Sequence, residues 1–148
     1  MDIKIVTKNR KASQEYFLSE KFEAGLELQG SEIKSIRQGQ MSIVESFVRI
    51  EDGQAWLLDA HIAPYTFSRH FNHEPRRPRR LLLHKREINQ LWNEIRKKGA
   101  TIIPTFVYLK NGRAKVEIAI AKGKKLYDKR AAMAEKDTQR EIERQLHR

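Results

Sequence analysis

TIIPTFVYLKNGRAKVEIAIAK, residues 101–122, decides the fold. Thr101 to Leu109 and Lys115 to Lys122 are runs rich in β-branched and aromatic side chains. Between them, Asn111 and Gly112 readily take the positive φ angles of a two-residue type I′ turn. The spacing predicts an antiparallel hairpin. Pro104 has no N–H to give to a ladder, so its strand lies at an edge or carries an irregularity.

Working outward toward the N-terminus, Ile88, Leu91, Trp92 and Ile95 follow the i, i+3, i+4, i+7 spacing of one helical face, and Gly99 supplies a stop after Lys97 and Lys98. HEPRRPRR, residues 73–80, comes before that helix. Pro75 and Pro78 exclude a regular helix there, and the segment reads as an exposed arginine loop. Ser46 to Ile50 and Ala55 to Ile62, joined by Glu51, Asp52, Gly53 and Gln54, read as a second hairpin with Trp56, Leu58, Ala60 and Ile62 on one face. In FEAGLELQGSEIKS, residues 22–35, the alternation of Phe22, Ala24, Leu26 and Leu28 resumes out of phase at Ile33. That slip predicts a β-bulge at Gly30 that turns Glu32 and Lys34 outward together. With strands around Tyr16 and Phe22, the count reaches about six short strands and one main helix. Such a chain is mainly β, and a small OB-like barrel accommodates it.

Beyond Gly123 the pattern changes. Residues 124–148 contain no Gly or Pro, are rich in Ala, Glu, Gln, Lys and Arg, and offer only Leu126, Met133, Ile142 and Leu146 as larger aliphatic groups. Helix propensity is high and the apolar stripe thin, so this segment reads as a tail that becomes helical on a partner; the alternative is a surface helix docked on the barrel. The expected division is a barrel over residues 1–122 and a basic tail over residues 123–148.

The 148 residues suit one domain, and the absence of Cys excludes disulfides, thiolate metal sites and thiol nucleophiles. No run is long and apolar enough to span a bilayer, and MDIKIVTKNRK lacks the apolar centre of a signal peptide, so a soluble, cytoplasmic protein is expected. The formal charge is +11, and it is clustered: residues 1–68 carry 8 bases and 10 acids, whereas residues 69–98 carry 10 bases and 3 acids. Clustering of this kind gives a directional field that attracts phosphate backbones.

Catalytic signatures are missing. No Walker-type loop, nucleophile elbow or HExxH occurs, and of His61, His70, His73, His84 and His147 only His70 and His73 have a spacing that could share a metal, among arginines that repel one. No metal, cofactor or catalytic residue is therefore expected. In APYTFSRHFNHEPRRPRR, residues 63–80, Tyr65, Phe67 and Phe71 either stack on bases or anchor the loop, while Arg69, Arg76, Arg77, Arg79 and Arg80 suit phosphates. Lys122, Lys124, Lys125, Lys129 and Arg130 form a second cluster around Tyr127.

Five blocks, NRKA at 9–12, FEAGLELQGSEIKSIRQG at 22–39, HIAPY at 61–65, RRLLLHKREI at 79–88 and KGKKLYDKR at 122–130, resemble the SsrA-binding protein (small protein B) family of bacteria in order and spacing. The resemblance implies an OB-type barrel that binds the tRNA-like domain of tmRNA. It further implies delivery of alanyl-tmRNA by GTP-bound elongation factor Tu to stalled ribosomes, with the tail entering the empty mRNA path near the small-subunit decoding centre. Carried over block by block, Asn9, Arg10, Lys11, Glu32, Lys34, Arg37, His61, Tyr65, Arg79 and Arg80 would line the tmRNA-binding face. Glu32 would there accept from a base amine or ribose hydroxyl, or hold an arginine in place. Gly123, Lys124, Lys125, Tyr127, Asp128, Lys129 and Arg130 would meet ribosomal RNA, Tyr127 standing where the family often has His. Two other readings are a general ribosome-associated or single-strand RNA-binding module and, from another class, a metal-dependent nuclease.

Overall fold

The computed structural model describes residues 3–67, 71–97 and 99–124. Its elements in chain order are β1 (Ile3–Lys8), α1 (Ala12–Glu15), β2 (Tyr16–Leu26), α2 (Gly30–Arg37), β3 (Met41–Ser42), β4 (Phe47–Glu51), β5 (Gln54–Leu58), β6 (His61–Ile62), β7 (Arg79–Leu82), α3 (Lys85–Ile95), β8 (Ala100–Lys110) and β9 (Arg113–Gly123). The fold is mainly β with one main helix, α3. Six strands close a circuit in the order β8, β4, β5, β7, β2, β9 and back to β8; β1 is added on β8, and β3 pairs with β6 apart from the rest.

The β8–β9 hairpin forms as its sequence dictates. Asn111 (φ 51°) and Gly112 (φ 80°) make the turn, and the ladder runs from Ala100 opposite Lys122 to Lys110 opposite Arg113. Pro104 falls beside a shift in register between Pro104 and Phe106. There β8 changes neighbours on its other edge, from β4 at Ile102 to β1 at Phe106 and beyond. A missing ladder donor is thus placed where the ladder is already interrupted. The circuit's interior is apolar, with Leu57, Leu81, Ile102, Val116 and Ile118 each at most 1% exposed. On α3, Ile88 and Leu91 are buried against this core while Trp92 is left 44% exposed.

Three expectations are corrected. The phase slip after Leu28 is a change of secondary structure and not a bulge: Gly30–Arg37 is helical, with Gln29 at the N-cap. The Gln29 side chain accepts from the Glu32 N–H, and the Glu32 carboxylate accepts from the Gln29 N–H at 2.8 Å, a reciprocal capping box. The second hairpin exists, closed by Asp52 and Gly53, but its inward residues are Ala55 and Leu57, with Trp56 and Leu58 only partly buried. The left-handed Asp59 (φ 60°) reverses the phase, so that Ala60 and Ile62 turn inward beyond the strand. The arginine segment is not wholly an exposed loop either, since Arg79 begins β7 and is fully buried. Among the described residues, no helix is long and apolar enough to cross a membrane.

Candidate nucleic-acid interface

Below α2 lies a buried cluster of charge. Glu32 and Arg79 are both 0% exposed, and Arg79 Nε donates to Glu32 Oε2 at 2.6 Å. Arg77 donates from Nε to Glu32 Oε1 at 3.1 Å and makes a second, shorter bond from Nη2 to the same oxygen. Arg79 Nη1 donates to the Ala60 carbonyl at 2.7 Å, and Nη2 reaches the Glu74 and Pro75 carbonyls. Burial pushes the Glu32 carboxyl up, but Arg77, the Gln29 amide and Arg79 together outweigh it and hold the carboxyl below its ordinary value. Burial lowers the Arg79 guanidinium in spite of Glu32. Glu32 therefore does not face outward beside Lys34. Of the two roles open to a carboxylate in this position, holding an arginine in place is the one its geometry performs.

Around that cluster a set of polar pins joins α2 to the segment between β6 and β7 and braces that segment internally. Ser35 Oγ donates to the Ala63 carbonyl at 2.7 Å. His73 bonds Ser31 Oγ through Nδ1 and the Ile62 carbonyl through Nε2, each at 2.8 Å. The Asn72 side chain accepts from the Tyr65 N–H at 3.1 Å and donates to the Tyr65 carbonyl at 3.0 Å. The result is an outward-facing group. Lys34 Nζ sits 5.5 Å from the centre of the Tyr65 ring, and Tyr65 meets Phe67 edge-on at 5.6 Å, with Phe67 72% exposed. A cation beside two rings suits an unpaired nucleotide, which presents a phosphate and a π face.

The remaining predicted residues are spread over other elements. His61 is half-buried in β6 opposite Ser42. Arg37 is exposed, and its Nη2 lies 3.5 Å from the Gly112 carbonyl in the β8–β9 turn. Asn9 is buried, donating from Nδ2 to the Pro104 carbonyl at 3.1 Å and from its backbone N–H to Thr105 at 2.7 Å, which fixes the exposed Arg10 and Lys11 at the entry to α1. Arg80 is half-buried and paired with Glu27 at 2.8 Å. Gly123 closes β9 opposite Tyr16, and Lys124 follows it. Lys125, Tyr127, Asp128, Lys129 and Arg130 lie outside the described residues, as does the expected helix-forming tail.

A second polar group is assembled from residues far apart in sequence. A cleft of about 420 Å³ brings Arg80, His84 and Lys115 together with Glu23 and Glu87. Glu23 accepts from the Tyr108 hydroxyl, which lowers its pKa against the opposing effect of burial, and Lys110 Nζ lies 3.5 Å away. The Tyr108 hydroxyl is pushed up, first by burial and then by Glu23. Only the cross-strand register, with Glu23 opposite Glu117 and Tyr108 opposite Lys115, assembles this group.

This barrel has known counterparts. The model of the SmpB protein family matches residues 6–148. The chain belongs to the SmpB protein family. Its SmpB-family relatives include the SsrA-binding protein of Desulforudis audaxviator (strain MP104C), 55% identical over 141 residues that cover 95% of this chain and 92% of the relative. The SsrA-binding protein of Carboxydothermus hydrogenoformans is 52% identical over 143 residues, covering 97% and 96%. A solved SmpB structure, described as "tmRNA-SmpB: a journey to the center of the bacterial ribosome", superposes with a TM-score of 0.69 at 42% identity, covering 81% of this chain and 85% of the other.

Proposed function

We propose that this chain is an RNA-binding adaptor of trans-translation: its barrel binds the tRNA-like domain of tmRNA and brings it to ribosomes stalled on truncated messages. The observation that carries the reading is the family match over residues 6–148, joined to a relative described with tmRNA in the bacterial ribosome. The geometry supports it. Lys34, Tyr65 and Phe67 offer a cation and π surfaces, Arg10 and Lys11 offer further exposed charge, and the Glu32 cluster holds the α2 side in shape. Within this reading, residues 125–148 serve the ribosome, in the empty mRNA path near the decoding centre, and GTP-bound elongation factor Tu acts through tmRNA. The adaptor contributes contacts and no covalent chemistry.

A chain ending at Lys124 tests the division of labour. It should fold and bind tmRNA with nearly the affinity of the full chain, yet fail to support tagging of nascent peptides on stalled ribosomes. Equal loss of both activities would reject the division.

A further inference from the structure

The residue that follows β9 is held from three directions. The Lys124 N–H donates to the Glu15 carbonyl at 2.7 Å. Its ammonium donates to the Ser13 carbonyl at 2.9 Å and lies 4.9 Å from the centre of the Phe17 ring. Ser13 and Glu15 belong to α1, a single turn of helix whose last carbonyls have no intrahelical N–H to meet. Lys124 supplies two of the missing donors. Phe17, on β2 opposite Lys122, is 51% exposed, and the ammonium lies over its ring.

By sequence position Lys124 belongs with Lys122 and Lys125 in a phosphate-seeking cluster. In the structure its charge is engaged within the protein instead. We propose that Lys124 is a positioning residue, which acts through Phe17 and the α1 carbonyls to fix the end of β9 against the barrel, where the segment that follows begins, and is not itself an RNA-phosphate ligand. The inference rests on the ribosome-directed reading of residues 125–148 given above. Holding Lys124 sets where the following segment begins relative to the barrel, so the latch favours ribosome engagement by pre-organisation and without adding a contact to RNA.

Full-length Phe17→Leu, which keeps an apolar strand residue and removes the π face, should retain tmRNA affinity. Tagging at subsaturating protein should fall about two- to fivefold, the size of one exposed cation–π contact. Phe17→Tyr, which keeps the face, should match wild type, and Phe17→Leu combined with Lys124→Ala should be no worse than Lys124→Ala alone. Lys124→Met provides an independent variant: tagging should drop while the log–log salt slope of ribosome binding stays unchanged. A slope reduced by about 0.7 to 0.9 would make Lys124 a phosphate ligand and overturn the proposal. Wild-type tagging by Phe17→Leu, or parallel loss of its tmRNA affinity, would overturn it as well. A wild-type chain that neither binds tmRNA nor supports tagging would instead reject the proposed function, so it is measured first.

Discussion

Across the β8–β9 hairpin the side chains turned inward include Ile102, Val107, Val116 and Ile118, these four with no exposed surface. Beneath α2 the fully buried groups include Glu32 and Arg79. The first side is ordered by apolar area removed from water, which is non-directional and tolerant of detail. The second is ordered by charge that has been desolvated and must find its partner. The contrast between the two sides limits how the +11 can act. The arginines of residues 73–80 do not all face a polyanion, because Arg79 and much of Arg77 neutralise Glu32 and tie down carbonyls. Charge counted along a sequence is therefore an upper limit on the charge available to RNA.

The largest effect expected from this contrast is on stability. Glu32→Ala leaves the Arg79 guanidinium buried without its counter-ion and should cost on the order of 3–5 kcal/mol in denaturant unfolding. A loss below about 1 kcal/mol would mean that the cluster is solvated in solution. Acid should reproduce part of this. Glu32 has a folded pKa depressed below its unfolded value, so its stabilisation is complete above about pH 4.3 and is lost as pH falls through the folded value. Glu32→Gln should be less stable at neutral pH and should lose that part of the acid dependence.

Of intermediate size is an effect on binding and not on folding. Tyr65→Ala should weaken tmRNA binding by about 1–3 kcal/mol, the value of a base stacked on an aromatic ring, without altering the salt slope. Lys34→Ala should instead lower that slope by about 0.7 to 0.9. If Tyr65→Ala left affinity intact, Tyr65 and Phe67 would be packing groups of the loop. The smallest effect belongs to the apolar side: Gly112→Ala has open space around the new methyl but a φ of 80°, so backbone strain alone should cost about 1 kcal/mol in thermal unfolding.

These two sides also differ in how legible they are. The β8–β9 hairpin and α3 follow from Asn111, Gly112 and the spacing of Ile88, Leu91 and Ile95, because turn chemistry and apolar period are local signals. The α2 side is harder to read for the same reason. A slipped alternation around Gly30 looks alike whether one residue is inserted or a helix begins, and because Gln29 is not one of the Ser, Thr, Asp or Asn residues that announce an N-cap, its capping box with Glu32 shows only in the folded geometry. Arg79 could not be told from Arg76 or Arg80, since its burial depends on a carboxylate 47 residues away. At the candidate site, Lys34 and Tyr65 were both anticipated from the resemblance, but their meeting at 5.5 Å required the fold. The cleft at Glu23 and Lys115 likewise arises from register between strands distant in sequence.

Sequencing the RNA that co-purifies with the full-length chain from cells distinguishes a tmRNA adaptor from a general RNA binder. An RNA-binding adaptor of trans-translation should return tmRNA as the dominant species, with ribosomal RNA beside it when stalled ribosomes accumulate. A broad mixture of cellular RNAs with tmRNA at its background abundance would contradict the account and leave a general RNA-binding barrel in its place.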